Sequence, residues 1–439
     1  MNEDYLHYAW KHRLFDAKGL KTDDEKSVEI ISPGFHNHHG GPDFSHARIR
    51  IGGQIWVGNV EIHVKHSDWD KHGHGNDAAY DNIILHVVYE KDTPNLQNVN
   101  CLFPTIELKN RLDMDHHWQY NKLLQSGRDF PCQKLIGVLD ESFQKQWIEK
   151  QLIARLESKT KDIFKVLELT KGDWNTVMYR CVSRALGLKQ NAEPMWWLSG
   201  AVPLGVLRRY VGCEVQMDAL FFGQSGLLYG SNTCDDEFVN DLRHEYEHLK
   251  RRHQLSPLDA KVWRFLRMRP GSFPTIRIAQ LAHFMHRFDR MFDVFYSADS
   301  LDDIIQLLDI ELPSYWHNHY ILGKPAKGGV KTVGLTVSNR LIINAVVPVL
   351  FAYGHRNNDE SLMNKTLDWM YLLPPDRNTI TIMYANAGLL QFDAATSQGT
   401  IHAHQTLCVN KRCLECEIGH KILAFSPNKH EKPKSKILR

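Results

Sequence analysis

The chain has 439 residues, of which 43% are hydrophobic and 24% charged, and its formal net charge is +2. This balance is typical of a soluble globular protein of two or three domains, and it confines any nucleic-acid-binding surface to a local patch. No apolar run predicts a membrane-spanning helix, and the first residues lack the pattern of a signal peptide. We therefore expect a cytoplasmic protein whose eight cysteines are reduced thiols or metal ligands.

The first 110 residues predict a short helix and a mixed β-sheet. The helix covers residues 4–16, where apolar side chains recur at helical spacing. Five segments have the composition of strands: residues 28–31, 47–51, 55–64, 83–89 and 101–108. Gly52 and Gly53 predict a hairpin between the second and third of them. Because side chains alternate along a strand, Glu61 and His63 face one side of the sheet together.

From residue 140 the hydrophobic period becomes helical. Helices are predicted over residues 141–169, 173–187, 203–223, 236–253, 258–267, 274–296, 300–311, 333–353 and 358–372. We expect an α+β protein, in which a mixed-sheet α/β domain is followed by a mainly helical domain. The expected divisions are an α/β domain (1–130), a helical domain with a basic face (131–325), a helical region with clustered cysteines (326–425) and a disordered basic tail (426–439).

Asp43 and Glu61 are the carboxylates most suited to bind a divalent metal ion. A hairpin loop of three residues would place both on one sheet face with His63, whereas a two-residue loop would separate them unless Gly58 marks a β-bulge. Two neighbouring carboxylates repel each other unless a cation lies between them, which predicts Mg²⁺ or Mn²⁺ acting on a phosphate. Lys65 follows on the same face as a positive charge. The alternative is a polar sheet face on which Asp43 caps a loop.

The order of Pro42-Asp43 and Glu61 within a helix–hairpin–helix–strand arrangement resembles the PD-(D/E)xK nuclease core. The resemblance covers about the first 110 residues and implies a restriction-endonuclease-like fold in which the aspartate and the glutamate bind the metal ion. That family has a lysine two residues after the glutamate, where this chain has His63. Either His63 or Lys65 takes the role of the lysine, or the nuclease chemistry is absent.

A histidine-rich segment follows strand 55–64. It contains four potential ligands within a span of ten residues: Asp68, His72, His74 and Asp77. They could complete a metal site, donate to a phosphate or act as general acid or base, and we take His72 as a catalytic candidate with His63 and Lys65. The alternative is a solvated loop, with His86 as a core histidine of the next strand.

Three cysteines near the C-terminus have metal-ligand spacing, Cys408-x4-Cys413-x2-Cys416. Tight turns can direct such thiols toward one zinc ion or iron–sulphur cluster, which then needs a fourth ligand. We predict Cys132 for this role, with Cys101 as the alternative. The layout is similar to that of PD-(D/E)xK exonucleases clamped by an iron–sulphur cluster. Three reduced thiols in a terminal turn are the other interpretation. The remaining cysteines are predicted to be core residues: Cys181, Cys213 and Cys234.

Residues 241–290 contain eleven Lys or Arg against five acids, a local excess of positive charge. Arg267, Arg269 and Arg277 surround a Pro-Gly turn and a predicted helix start. Arginines and free helix amides together suit the phosphates of a nucleic acid. The alternative is a solvated helical face, with the neighbouring aromatic residues in the core.

Eight motifs in one order resemble an uncharacterised bacterial family, domain of unknown function 2851. They are GPDF, W-x-GNVEIH, SDW-x-x-H-x-H, ILHVVY, FGQSGLL, FLRMRP-x-x-FPTIRIAQLA, LPP and C-x4-C-x2-C-x-IG. The resemblance implies no activity, so function rests on the side chains. They favour a metal-dependent nuclease or a nuclease-derived nucleic-acid-binding protein. The alternatives are a non-catalytic interaction protein with a structural metal at its cysteines and another metal-dependent hydrolase that uses the histidine-rich segment.

Overall fold

The computed structural model describes residues 1–37, 40–72, 74, 77–92, 103–229 and 236–424. It divides into two compact units, Met1–Leu139 with His404–Arg439, and Asp140–Ala403. The first unit contains a mixed sheet and the second is mainly helical, so the predicted α+β class is confirmed. The finer divisions proposed from the sequence stay predictions, and the tail at 426–439 lies outside the described residues.

The sheet of the first unit is mixed. Its strands are β1 (Val28–Ser32), β2 (Phe35–His36), β3 (Phe44–Ile51), β4 (Gln54–Lys65), β5 (Ile83–Glu90) and β6 (Thr105–Glu107). They are ordered β1-β3-β4-β5-β6, and β2 also pairs with β3. Strands β1, β3 and β4 are antiparallel neighbours, whereas β5 and β6 continue the sheet in parallel with β4. The parallel pairing aligns polar residues of β4 and β5 on one face.

The hairpin between β3 and β4 has a shorter loop than one prediction assumed. Ile51 pairs with Gln54, so the loop contains only Gly52 and Gly53. Both glycines have positive φ, at 56° and 90°, a backbone region that glycine occupies without a steric penalty. The three-residue loop was therefore wrong, and the two-residue alternative is confirmed.

A β-bulge in β3 restores the register that the short loop would lose. The pairing shifts between Phe44 and Ala47, and His46 within this interval has a φ of 57°. Beyond the shift, Phe44 pairs with Val60. This pairing places Asp43, which precedes Phe44, next to Glu61, which follows Val60. The sequence allowed a bulge at Gly58 of β4, whereas the structure has the bulge in β3.

Gly58 of β4 lies in close contact with the start of β5 and the residue before it. A Cβ atom there would stand 2.4 Å from Cγ2 of Ile84 and 2.9 Å from the backbone oxygen of Asn82. We expect Gly58→Ala to lower the free energy of unfolding by about 1–3 kcal/mol, because the strands must separate. Urea denaturation checks this, with Gly40→Ala as the control, since a Cβ at Gly40 meets nothing within 4 Å. Equal stabilities of the two variants would contradict the close packing.

Four helices accompany the sheet in the described part of the first unit: α1 (Glu3–His12), α2 (Asp68–Lys71), α3 (Met114–Ser126) and, after the second unit, α18 (Glu417–Ala424). The side chain of Asn2 caps α1 by accepting the N–H of Tyr5. Tyr5 and Trp10 are fully buried on the inner side of α1, which packs against β4. The helix thereby brings its first turn to the sheet.

The second unit is built from helices α4 to α17. They are α4 (Glu141–Leu169), α5 (Trp174–Leu186), α6 (Leu188–Ala201), α7 (Leu204–Leu207), α8 (Glu214–Gln224), α9 (Glu237–His253), α10 (Pro274–Arg287), α11 (Met291–Tyr296), α12 (Leu301–Leu308), α13 (Leu335–Leu341), α14 (Val347–Asn357), α15 (Glu360–Leu372), α16 (Thr379–Asn386) and α17 (Ala394–Ala403). A small hairpin, β7 (His319–Ile321) and β8 (Lys324–Pro325), joins them. Helix α4 packs against α14 and α17 within this unit.

The helix predicted at 258–267 was wrong. Only one 3-10 turn forms there, Ala260–Val262, capped by the side chain of Asp259. Trp263 then becomes extended and buries its ring, and its indole N–H donates to the carbonyl of Ser225 at 2.8 Å. Burial of this large side chain outweighs the local helical pattern.

Among the described residues, one helical segment, Leu335–Asn357, is long and apolar enough to cross a membrane, contrary to the expectation from the sequence. Its most apolar window is 72% buried inside the protein, as in a core helix. The segment joins α13 to α14 through a π-helical turn, Ile342–Val346. The turn ends two residues before Pro348, which has no backbone N–H to donate.

Candidate metal centre

Asp43 and Glu61 are held together by the backbone of their own strands. The N–H of Asp43 donates to Oε2 of Glu61 at 3.1 Å, and the N–H of Ile62 donates to Oδ2 of Asp43 at 2.9 Å. His7 of α1 places its Nε2 atom 3.2 Å from the same oxygen of Asp43. The two carboxylates predicted from the sequence therefore do lie side by side.

The second oxygen of Glu61 faces a group of histidines. Oε1 lies 3.4 Å from Nε2 of His74 and 3.7 Å from Nε2 of His63. Nδ1 of His72 lies 3.2 Å from Nε2 of His63, and one donor atom of each of these three histidines lies within 4.8 Å of the others. Ligand atoms bound to one tetrahedral ion at about 2.1 Å are about 3.4 Å apart, and the spacings of 3.2, 3.4 and 3.7 Å are close to this value.

Strand β4 and the segment after it position these donors. Glu61 and His63 are two residues apart on β4, both buried on the same face. The turn that carries His72 and His74 is anchored by Trp69, which is buried and packs against the rings of His74 and Phe103 at centroid distances of 5.2 and 4.5 Å. A buried tryptophan therefore brings the loop histidines to the sheet.

His86 of β5 orients His63. Glu61 and His86 are paired in the parallel register, so both side chains point to the same face. Nε2 of the fully buried His86 lies 2.9 Å from Nδ1 of His63. If Nδ1 of His63 donates this bond, its Nε2 atom presents a lone pair to the metal position. His86 was interpreted as a core histidine, and in the structure it is also a partner of a candidate ligand.

Burial makes this group of side chains costly to charge without a cation. Burial, with the nearby charge of Asp43, raises the pKa of Glu61 to about 8. Burial, with the charges of His72 and His74, lowers the pKa of His63 to about 4, and burial lowers the pKa of His74 as well. Neutral imidazoles are the form that binds metal. Nε2 of His74 is buried and makes no hydrogen bond among the described residues, so its lone pair is available to a metal ion.

Two residues of α1 also reach this site and were missed from the sequence. Glu3 and His7 are four residues apart, so they share one face of the helix. Burial raises the pKa of Glu3. Burial lowers the pKa of His7, but Asp43 and Glu3 outweigh it and the net shift is upward. The Glu-x3-His spacing was the available signal.

Other candidates of this region lie apart from the donor atoms. Lys65 is exposed, and its charge interacts with Asp92. Asp68 accepts the backbone N–H of Lys65 at 3.0 Å and pairs with Lys71. Asp77 caps a short turn by accepting the N–H of the residue two positions on. Their described contacts are thus structural.

The three arginines of the basic segment differ in exposure. Arg267 and Arg269 are exposed, whereas Arg277 is 4% exposed and donates to Gln280 and Ser272. Burial lowers the pKa of Arg277 to about 10. Arg267 and Arg269 are therefore the members of the set that solvent, or a phosphate, can reach.

The described cysteines differ in the unit to which they belong and in their exposure. Cys132 and the C-terminal Cys408, Cys413 and Cys416 all belong to the first unit. Cys101 and Cys234 lie outside the described residues. Cys213 is exposed, so its predicted core position was wrong, while Cys181 is half-buried. A cysteine at the N-cap of α8 faces solvent because the cap precedes the buried side of the helix.

The comparisons with known proteins concern the chain as a whole. The profile of the family "Protein of unknown function (DUF2851)" matches residues 3–379. The chain belongs to DUF2851. The matched part of this DUF2851 protein includes Glu61 and the three histidines and ends before the three C-terminal cysteines. The resemblance to the PD-(D/E)xK core is not confirmed. No curated protein and no solved structure matches the chain.

Proposed function

We propose that this DUF2851 protein is a metal-dependent hydrolase that cleaves phosphodiester bonds of nucleic acid. The observation that carries the proposal is the short distance from Glu61 Oε1 to Nε2 of His63 and His74, beside the cluster that these two histidines form with His72. Imidazoles favour zinc and other transition metals, whereas Mg²⁺ prefers oxygen ligands. Of the two metals expected from the sequence, the donor set supports Mn²⁺ over Mg²⁺, and it adds Zn²⁺.

The side chains have distinct roles in such a reaction. Glu61 and the neutral imidazoles would hold the ion, and a divalent ion in this position supplies an activated water and neutralises charge on the phosphate. His72 is exposed, so water or a substrate phosphate could approach the ion on that side and bind as a fifth ligand. His7, whose pKa is raised, would carry a proton beside Asp43 and donate it to a phosphate oxygen or leaving group.

The nucleic-acid substrate is supported by two further features. The adjacent Asp43 and Glu61 on a sheet face are the pair expected of a phosphate-cleaving metal site. The exposed Arg267 and Arg269 belong to a segment of eleven Lys or Arg against five acids, which suits contacts with backbone phosphates. We also propose a cytoplasmic location, consistent with cysteines kept as thiols or metal ligands.

Hydrolysis assays test this function. Purified protein is incubated with single- and double-stranded DNA, RNA and bis(4-nitrophenyl) phosphate, each with Mn²⁺, Zn²⁺ or Mg²⁺. We expect Mn²⁺ or Zn²⁺ to support cleavage of a nucleic acid and of the small diester, and a chelator to stop it. Cleavage of the small diester alone would overturn the nucleic-acid substrate. No hydrolysis under any condition would overturn the hydrolase and favour an interaction protein.

Metal binding should depend on pH through Glu61. Its pKa is raised from 4.5 to about 8, so at neutral pH the carboxyl must lose a proton before it binds the ion. Affinity for Mn²⁺ is therefore expected to rise by about tenfold per pH unit and to level off above about pH 8. Calorimetry in buffers of different ionisation heat should show about one proton released at pH 7. A flat pH profile for the wild-type protein would contradict this role.

The raised pKa of Glu61 has a second consequence: metal affinity rises with pH, whereas the stability of the metal-free protein falls with pH. The folded state holds the Glu61 proton more tightly than the unfolded state, so its stabilising contribution is complete below about pH 4.5 and is lost as pH rises toward 8. Urea denaturation with a chelator present should show this loss. With metal bound, stability should instead rise with pH, because the cation stabilises the carboxylate form of Glu61.

A further inference from the structure

Four cysteines from distant parts of the sequence belong to the first unit, and all four are buried or half-buried there. Cys132 and Cys413 are each 8% exposed and Cys416 is 7% exposed, while Cys408 is half-buried. Burial, and then charge on any of the three C-terminal cysteines, raises the pKa of the Cys132 thiol. Burial, and then charge on Cys416 or Cys408, raises the pKa of the Cys413 thiol. Cys132 and Cys413 therefore each lie within electrostatic reach of Cys408 and Cys416, and Cys132 lies within reach of Cys413 as well.

Tight turns present the C-terminal thiols. Cys413 and Cys416 flank a 3-10 turn, and the N–H of His420 donates to the carbonyl of Cys416 at 2.9 Å. Gly419 lets α18 approach this turn, because a Cβ there would stand 2.0 Å from the carbonyl oxygen of Cys413. Lys411, with a φ of 54°, donates its N–H to the carbonyl of Cys408 at 3.1 Å. Successive reversals thus place the three cysteines on adjacent turns of one short segment.

The segment before Cys132 is equally constrained. A Cβ on Gly127 would stand 1.7 Å from the backbone oxygen of Phe130, so only glycine permits this turn. The hydroxyl of Ser126 donates to the carbonyl of Pro131 at 2.6 Å. The carbonyl of Cys132 then accepts the N–H groups of Leu135 and Ile136. The position of this cysteine is therefore set by the backbone as well as by packing.

We propose that Cys132, Cys408, Cys413 and Cys416 together bind a thiophilic metal centre, either one zinc ion or an iron–sulphur cluster. Four thiolates are the ligand set of both groups, and metal bonds compensate the burial of sulphur atoms that hydrogen-bond only weakly. The centre ties the C-terminal turns to the segment after α3. It is independent of the site formed by Glu61 and the histidines.

Metal analysis of the full-length protein, purified without oxygen, tests the proposal. We expect zinc or iron in the wild type, and loss of that metal in Cys132→Ser and Cys408→Ser. A brown protein with iron and acid-labile sulphide identifies the cluster, whereas colourless protein with zinc identifies the single ion. Cys213→Ser is the matched control, because Cys213 is exposed in the other unit, and it should retain the metal.

Two further measurements keep the test decisive. Glu61→Gln should retain the cysteine-bound metal even if the proposed hydrolase is wrong, which separates the two sites. In the folded wild type, the four thiols should resist a thiol reagent until a chelator removes the metal. The proposal is overturned if Cys132→Ser and Cys408→Ser keep the wild-type metal content, or if the four thiols of the folded wild type react at once without metal release.

Discussion

Replacing Glu61 with glutamine is expected to remove metal binding from the histidine site and to lower hydrolysis by about a hundredfold or more. Loss of a residue that merely orients a ligand already costs about 10–100-fold, and Glu61 is itself a ligand in the proposed site. The amide keeps the shape of the carboxylate and an oxygen that can accept the N–H of Asp43, whose bond to Glu61 is 3.1 Å long. The variant therefore removes charge while it preserves the hairpin.

Stability separates this effect from misfolding. Because burial raises the pKa of Glu61 to about 8, the neutral amide should leave the metal-free protein as stable as the wild type near neutral pH, or more stable at higher pH. Thermal melts with and without Mn²⁺, together with calorimetric titration, check both parts. Glu29→Gln is the matched control, because Glu29 is exposed on β1 and pairs with Arg50. Full metal affinity in Glu61→Gln would exclude Glu61 as a ligand.

Replacing His86 with phenylalanine is expected to weaken metal binding by about 10–100-fold without unfolding the protein. His86 is fully buried, and its Nε2 atom lies 2.9 Å from Nδ1 of His63. Without this partner, His63 is free to place its proton on Nε2, the atom that faces Glu61. Phenylalanine fills similar space beside Trp69 and Phe103.

His66 provides the control for this second variant. It is also buried, at 1% exposure, and its ring nitrogens have no hydrogen-bond partner among the described residues. His66→Phe should leave metal affinity unchanged, because it alters a buried ring that does not touch a ligand nitrogen. Titration with Mn²⁺ against a competing chelator measures both variants. Equal affinities of His86→Phe and wild type would show that His86 is only a core residue.

The sequence could predict those parts of the site that depend on local periodicity. The alternation of β4 places Glu61 and His63 on one face, and the short spacing of His72 and His74 marks their shared turn. The pairing of β3 with β4 could not be read this way, because it depends on a bulge at His46. A non-glycine residue with positive φ gives no reliable signal in a single sequence.

Contacts between distant segments explain most of the remaining differences. The role of His7 depends on how α1 packs against β4, and that of His86 depends on the parallel register with β5. Arg277 looked like a surface cation because its helix start is basic, yet tertiary packing buries it. Local signals dominate where few long-range contacts compete, as at Asp140, which caps α4 at the predicted start.

Helix α6 is absent from the sequence prediction, which leaves residues 188–202 without a helix. The helix contains Pro194. In the structure Asn191 departs from helical geometry and the helix continues with Pro194 in its next turn, where a missing N–H is tolerated. The kink is fixed from a distance, because the side chain of Asn191 exchanges two hydrogen bonds of 2.9 Å with the backbone of Arg264.

Anomalous diffraction from crystals soaked with Mn²⁺ or Zn²⁺ tests the proposed metal centre most directly. The site geometry predicts one strong peak about 2.0–2.2 Å from Glu61 Oε1 and from Nε2 of His63 and His74, with Nδ1 of His72 completing the set. Data from Glu61→Gln crystals, soaked identically, should lack that peak. Metal-saturated crystals without a peak among these four side chains, or with a peak bound by other residues alone, would contradict it.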